Sequence, residues 1–155
     1  MQRKIKIIPA KRIEGIRLRK DLPIDAPAIH ETAQGMIEYL KKIKGLGLAA
    51  CQIGIPERWF VAKIDNQYII CIYPAYKPIA SGKTKMWRET CLSYPNEAYN
   101  VRRYQKIFAT WETPDGDNIT ECANMFGNQD AIIFQHETDH CNGKTIKMIG
   151  QRVRK

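Results

Sequence analysis

The sequence predicts an α+β protein, with antiparallel strands packed around a central C-terminal helix and a further helix near the N-terminus. Three features lead there. Apolar residues recur at helical spacing from Ile29 to Ile43, short β-branched and aromatic runs broken by turn signals follow, and helical texture resumes near Asn128. At 155 residues and 17.9 kDa the chain has the size of one ordinary domain. No repeat or low-complexity linker divides it, so residues 1–155 are read as a single domain.

The first helix follows "LPIDAP". Asp25 can cap it, and Pro27 falls in the first turn, where a missing N–H costs little. Ile29, Ala33, Met36, Ile37, Leu40 and Ile43 form its apolar face, and Gly45 ends it. "GLGLAACQIGIP", 45–56, then reads as a Gly-rich helix end followed by an Ala-rich turn. "RWFVAKI", "QYIICIY", "QKIFATWET" and "NITECANM" read as antiparallel strands. Asp65-Asn66, Ser81-Gly82 and Pro114-Asp115-Gly116 supply turns between them. The second helix starts near Asn128 as cap, with Asp130 in its first turn, and stops at Asn142-Gly143. Residues 144–155 leave room for a short strand but not for another long helix.

Hydrophobic residues at 44% and charged residues at 26% have the balance of a soluble globular protein. No apolar run approaches the ~20 residues of a membrane helix. "IKIIPA" is too short for the apolar core of a signal peptide. Five cysteines, an odd number without a C-x-x-C pair, fit a reducing compartment, so a cytoplasmic protein is expected. The net charge of +9 sits at the ends. Residues 1–20 hold eight Lys/Arg against Glu14 alone, and 144–155 hold five with no acid, whereas 21–143 is mildly acidic. Such ends suit either an anionic partner, RNA foremost, or a solubilising surface.

The chemistry concentrates in "QHETDHCNG", Gln135 to Gly143. His136 and His140 lie four residues apart on a helix and project from one face, able to share a divalent metal. Glu137 stands beside them as a proton acceptor for an activated water, and Ile132 and Ile133 form an apolar wall one turn earlier. A catalytic zinc-type site needs three protein ligands and an open position. Residues 141–155 contain no Asp, Glu or His, and Cys141 points about 100° away from His140 around the helix. The third ligand must therefore lie upstream, among His30, four cysteines and scattered carboxylates.

Two upstream stretches stand out. In "GLGLAACQ", Gly45 and Gly47 let the backbone approach a ligand and Gln52 offers amide donors. In "RETCLSYP", Cys91 sits among polar residues before a Pro turn, a better ligand setting than Cys71 in "IICIY". These features alone leave open a metallohydrolase whose third ligand lies upstream, such as a zincin-like peptidase, and a basic RNA- or ribosome-binding module whose HExxH is structural.

Together the three stretches resemble the motifs of the peptide deformylase family, G-x-G-φ-A-A-x-Q, E-G-C-φ-S and Q-H-E-x-D-H with φ apolar. They occur in that order as Gly45-Leu46-Gly47-Leu48-Ala49-Ala50-Cys51-Gln52, Glu89-Thr90-Cys91-Leu92-Ser93 and Gln135-His136-Glu137-Thr138-Asp139-His140. "RLRK", before the first helix, is similar to the family's opening. The resemblance implies Cys91 as the third ligand beside His136 and His140, holding Fe²⁺, with Zn²⁺, Ni²⁺ or Co²⁺ acceptable to such donors.

It further implies hydrolysis of the N-formyl group from the formyl-methionine of newly made proteins. A metal-activated water attacks the formyl carbon, and Glu137 takes its proton and passes it to the leaving amine. The Gln52 side-chain amide and the Leu92 backbone N–H would hold the oxyanion. Gly45, Gly47, Glu89 and Thr90 would flank the substrate, which pairs as an extended strand beside Gly47. Leu46, Trp87, Ile132 and Ile133 would form the Met pocket, with His136 at its edge, and Asp139 would support a ligand or anchor the helix. The implied partners are N-formylmethionyl nascent peptides and no membrane, for a monomer in the cytoplasm, or in the bacterial host's cytosol if phage-encoded.

The sequence departs from the family pattern at four places. Thr90 replaces a glycine, and Cys141 replaces a leucine. Asn96-Glu97-Ala98 stands where an arginine is usual, with Arg102 or Arg103 as substitutes. The long C-terminal helix with which many bacterial members touch the ribosome is missing, as in short forms similar to those of bacteriophages. A basic end can then stand in for it against ribosomal RNA.

Overall fold

A computed structural model describes residues 4–19 and 23–154. Lys20 of "RLRK" and Leu22 of "LPIDAP" fall outside the described residues. The elements run α1 (Ala10–Glu14), α2 (Ala26–Ile43), β1 (Gly47–Ala49), a 3₁₀ turn (Ala50–Ile53), β2 (Trp59–Ile64) and β3 (Gln67–Pro78). A short 3₁₀ turn over Ala80–Gly82 leads to β4 (Thr84–Cys91), β5 (Tyr94–Tyr104), β6 (Lys106–Asp115), β7 (Asn118–Gly127), α3 (Asn128–Cys141), α4 (Ile146–Ile149) and β8 (Gln151–Arg152).

The α2 prediction holds. The Asp25 carboxylate accepts from the Ala28 N–H, and the predicted face is buried except at Ile43. Lys44, in the left-handed conformation, ends the helix one residue before Gly45. The four expected strands appear as β2, β3, β6 and β7. Asp65 and Asn66, with φ of 49° and 61°, make the tight β2–β3 turn, the geometry Asx-rich hairpins favour.

Two antiparallel sheets result, one of five strands in the order β1-β2-β3-β6-β7 and one of three in the order β4-β5-β8. The larger sheet lies between α2 and α3. On β2, Trp59 and Val61 pack with Met36 and Leu40 of α2, whereas Phe60, Ala62 and Ile64 pack with Phe134 and Ile133 of α3. A strand covered on both faces cannot alternate apolar with polar, which is why "WFVA" reads as a continuous apolar run. Phe60 meets Phe134 edge-on at 5.5 Å, and Phe134 also contacts Trp111 and Phe126.

Helix α3 is thus central, with Ala131–Gln135 and Glu137–Cys141 buried. Its polar residues point inward, where a structural helix would carry apolar ones, and that marks a functional element. Among the described residues no helix is long and apolar enough to cross a membrane.

Some predictions need correction. Gly127, not Asn128, occupies the cap position of α3; Asn128 has φ of 53° and makes no side-chain cap bond. Asp130 does lie in the first turn, where it accepts from the Asp65 N–H. Residues 47–53, read as a turn, form an edge strand and a 3₁₀ turn. Strands β4 and β5 and the short α1 were not anticipated. The tail forms α4 as well as the expected short strand, β8.

Candidate active site

Strand β1 ends the larger sheet and β4 ends the smaller one, leaving a cleft of about 590 Å³ between their unpaired edges. Helix α3 forms its floor. Gln52, Leu92 and Cys91 line this cleft together with Gly45, Leu46, Gly47, Trp87, Glu89, Thr90, Ile132, Ile133, His136 and Glu137. Three stretches far apart in sequence therefore meet in one place. His140 lies just beneath, its Nε2 3.5 Å from the Cys91 sulfur.

One donor atom from each of Cys91, His136 and His140 can be chosen so that all three lie within 4.8 Å of one another. The His136 Nδ1 is held by Glu89 Oε1 at 2.7 Å, which leaves its Nε2 for the cluster. Cys91 sits where the β4–β5 register is irregular. The pairing passes from Thr90↔Ala98 to Cys91↔Tyr94, so the extra residues 95–97 bulge out of β5 opposite the end of β4. Two nitrogens and one soft sulfur suit a borderline divalent transition metal, and three converging donors leave a fourth position open. The residues fit a metal.

A charged cluster braces these donors. Arg103 donates from Nε and Nη2 to both Glu89 oxygens, at 2.7 and 2.9 Å, and from Nη1 to Asp139. Burial opposes the charge on Glu89, but Arg103 and His136 outweigh it and hold its carboxyl below the usual range. Burial likewise opposes the imidazolium of His136, yet Cys91, Glu89 and Glu137 raise its pKa well above the ordinary value. At His140 burial dominates, helped by the His136 and Arg103 charges, and the pKa falls well below normal, which favours the neutral, ligating ring. Asp139 thereby anchors α3 to β5 through Arg103.

Glu137 faces the same space. Burial pushes its pKa up to about 7, and its Oε2 is a buried acceptor with no hydrogen-bond partner among the described residues. A buried carboxyl aimed into a cleft and titrating near neutrality is placed as a proton carrier. Gln52 is fixed in one sense: its Oε1 accepts from the Ala49 N–H at 2.8 Å, so its amide NH₂ must face the cleft. There it donates to Ser93 Oγ at 3.0 Å and reaches the Cys91 sulfur at 3.5 Å. Leu92 sits in the two-residue turn between β4 and β5.

Thr90 is exposed, and its φ is not positive, so the position does not require the glycine of the family pattern. Cys141 packs in the core with Cys51 and Phe60, away from the donor cluster. Neither Arg102 nor Arg103 lines the cleft; Arg103 is committed to Glu89 and Asp139, and Arg102 donates to Thr84. Arg88 does line it, and sequence reasoning passed it over. Alternation along β4 puts Glu89 on the face of Cys91 and Arg88 with Thr90 on the other, so Arg88 meets the cleft at the open edge of the strand.

The sequence model described as "Polypeptide deformylase" matches residues 4–154. The peptide deformylase of Thermotoga petrophila is 33% identical over 118 residues, 76% of this chain and 70% of that protein. The crystal structure of peptide deformylase from Thermotoga maritima superposes with a TM-score of 0.83 at 27% identity, covering 95% of this chain and 97% of that one. A probable peptide deformylase from Synechococcus phage S-SSM7 shares the fold, with a TM-score of 0.80 at 23% identity over 93% of this chain and 98% of its own.

Proposed function

The chain belongs to the polypeptide deformylase family, and from that premise we propose how its own residues perform the reaction. It is a metal-dependent hydrolase that removes the N-formyl group from the N-terminal formyl-methionine of new proteins and releases formate. The observation that carries the assignment of roles is the convergence of Cys91, His136 and His140 beside the Glu137 carboxyl, whose Oε2 has no hydrogen-bond partner among the described residues.

Cys91, His136 and His140 would hold the ion, Fe²⁺ in our reading, and such donors would also accept Zn²⁺, Ni²⁺ or Co²⁺ in purified protein. The ion, when bound, supplies the Lewis acidity that activates water and polarises the formyl oxygen. Glu137 accepts the water proton and delivers it to the leaving nitrogen, a role suited to its pKa near neutrality. The Gln52 NH₂ and the Leu92 N–H stabilise the charge that develops on the formyl oxygen. Glu89 keeps His136 oriented, and Arg103 keeps Glu89 ionised. The substrate lies as an extended strand between β1 and β4, flanked by Gly45, Gly47 and Thr90, and its Met side chain enters the apolar space of Leu46, Trp87, Ile132 and Ile133. Leu46, 42% exposed, is a wall that a Met side chain would cover.

The protein works as a monomer in the cytosol, on nascent chains at the ribosome, and its basic ends contact ribosomal RNA. Tyr94 links the two ends, donating to Glu14 of α1 and accepting from the Thr145 hydroxyl before α4, with Lys147 over its ring at 5.8 Å. Cosedimentation with ribosomes that persists unchanged in high salt, or is absent at low salt, removes that contact from the proposal.

The deciding experiment is formate release from formyl-Met-Ala-Ser by Fe²⁺- or Ni²⁺-loaded protein, beside Glu137→Ala. A loss of at least about a hundredfold in the variant is expected. Equal turnover would remove Glu137 from the mechanism.

A further inference from the structure

The cleft that holds the reaction has a one-sided rim. Among the residues lining it the acids are Glu89 and Glu137, both buried, and the former is paired with Arg103 and His136. The exposed charges on the lining are Lys44 and Arg88, both cations. Lys44 stands at the end of α2, held outward by its left-handed backbone (φ 55°), on the β1 side of the opening. Arg88 projects from β4 on the opposite side, across from Asn100 on β5. Among the described residues neither cation has an ion pair or a hydrogen bond to another side chain. Beyond Lys44 a second groove continues from the same Gly45-Leu46 wall and is lined by Lys41, Lys44 and Lys63 with no acid. Glu38 and Asp65, the acids closest in sequence, line neither surface.

We propose that Arg88, with Lys44 on the lining of the same cleft, makes this enzyme select formylated chains with acidic residues directly after the methionine. The inference rests on the deformylase reading and adds its substrate class. Arg88 lies three residues from Cys91 along β4, about 10 Å of extended chain. A peptide with its formyl carbon at the donor cluster and its backbone along β4 therefore brings its second and third residues alongside Arg88. An acidic side chain there gains two cations, whereas a basic one meets two like charges. These contacts are the same in the ground and transition states, so they act on KM and leave kcat little changed.

The shared chemistry is a carboxylate, which a short peptide also carries at its C-terminus, so test peptides must be C-terminally amidated. The experiment compares kcat/KM for formyl-Met-Glu-Glu-Ser-amide, formyl-Met-Gln-Gln-Ser-amide and formyl-Met-Lys-Lys-Ser-amide, and for the Gln peptide with a free C-terminus. The expected order is Glu, then Gln, then Lys, with roughly three- to tenfold per step at low salt, shrinking toward unity near ~0.5 M salt. Arg88→Glu should flatten the order, since it sets a new acid against Lys44, and Arg88→Lys should keep it. Lys106→Glu, an equal charge reversal on exposed β6 outside the cleft, should leave the order as it is and so separates a local effect from the pull of the net positive charge.

Equal rates for the three amidated peptides overturn the proposal. So does an acidic preference that survives Arg88→Glu, or one found only for the free C-terminus. The neutral Gln peptide separates the levels: its turnover establishes deformylation whatever the charge series shows, and its inertness strikes at the underlying activity instead.

Discussion

Gly47 and the Glu137 carboxylate are so close that a side chain on the glycine would collide with the base. A Cβ built on Gly47 lies 2.7 Å from Glu137 Oε1 and 3.0 Å from its Cδ and Cγ. The first motif therefore keeps a glycine for steric room, since Gly47 is not at a positive φ. Gly47→Ala is expected to displace the carboxylate and lower kcat by about ten- to a hundredfold, because small misplacements of a catalytic group carry that size of penalty. Metal content should stay near that of wild type, as the atoms nearest the methyl all belong to Glu137, which is outside the donor cluster. Unchanged kcat in a metal-loaded Gly47→Ala protein would show that Glu137 has room to spare.

Arg103 is buried, and its loss would strand two carboxylates. It is 3% exposed and satisfies Glu89 and Asp139 together. Breaking such a cluster by removing one member costs about 3–5 kcal/mol, because the remaining charges stay buried without a partner. Arg103→Ala is expected to lower stability by that amount in urea unfolding and to weaken metal binding through the freed His136. Arg103→Lys should recover part of the stability but not all, since an ammonium cannot bind Glu89 with the two-pronged geometry of a guanidinium. A loss below about 1 kcal/mol for the alanine variant would mean that water reaches and solvates the pair.

The same cluster explains what the sequence could and could not reveal. His136, Glu137 and His140 were legible because their meaning lies in residue type and local spacing on one helix. Strands β4 and β5 were not, because Glu89 and Arg103 occupy inward positions where a strand pattern requires apolar residues. The functional residues thus erased the periodicity that would have disclosed their own scaffold. β2 remained legible because both of its faces meet helices through apolar side chains. Asn128 has the composition of a cap, but the tight join to β7 places Gly127 there instead. The link between Arg103 and Asp139 spans 36 residues of sequence, and no local rule reports such pairings.

Thiol reactivity should separate Cys91 from its neighbours. Burial raises the pKa of Cys51 to about 12 and lifts those of Cys71 and Cys141 well above normal, so all three stay protonated and shielded at pH near 8. Cys91 opens on the cleft, and Cys122 is partly exposed on β7. Alkylation of the metal-free native protein, read by mass spectrometry, is expected to modify Cys91 and Cys122 and spare the rest. Zn²⁺ added beforehand should protect Cys91 alone. Equal labelling of Cys91 with and without metal would argue that the sulfur is not a ligand.

Metal removal should cost stability as well as activity, and the two losses should be separable by substitution. An ion that binds the folded chain and not the unfolded one stabilises it by about 2.7 kcal/mol at a hundredfold excess over Kd. For a domain of this length that amounts to roughly 5–10 °C in Tm. The donors sit on α3 and at the end of β4, so an ion would tie α3 to the smaller sheet. Chelation is therefore expected to lower Tm by that amount, and re-addition of Ni²⁺ or Zn²⁺ should restore it. Cys91→Ser should melt near the chelated value and respond weakly to metal, since a hydroxyl is a poor ligand beside two imidazoles. Glu137→Gln should show the full metal-dependent shift while lacking activity if, as proposed, its carboxyl moves protons; it lies outside the three-donor cluster. A Glu137→Gln protein that also loses the shift would make Glu137 a ligand and would overturn the division of labour between the three donors and the base.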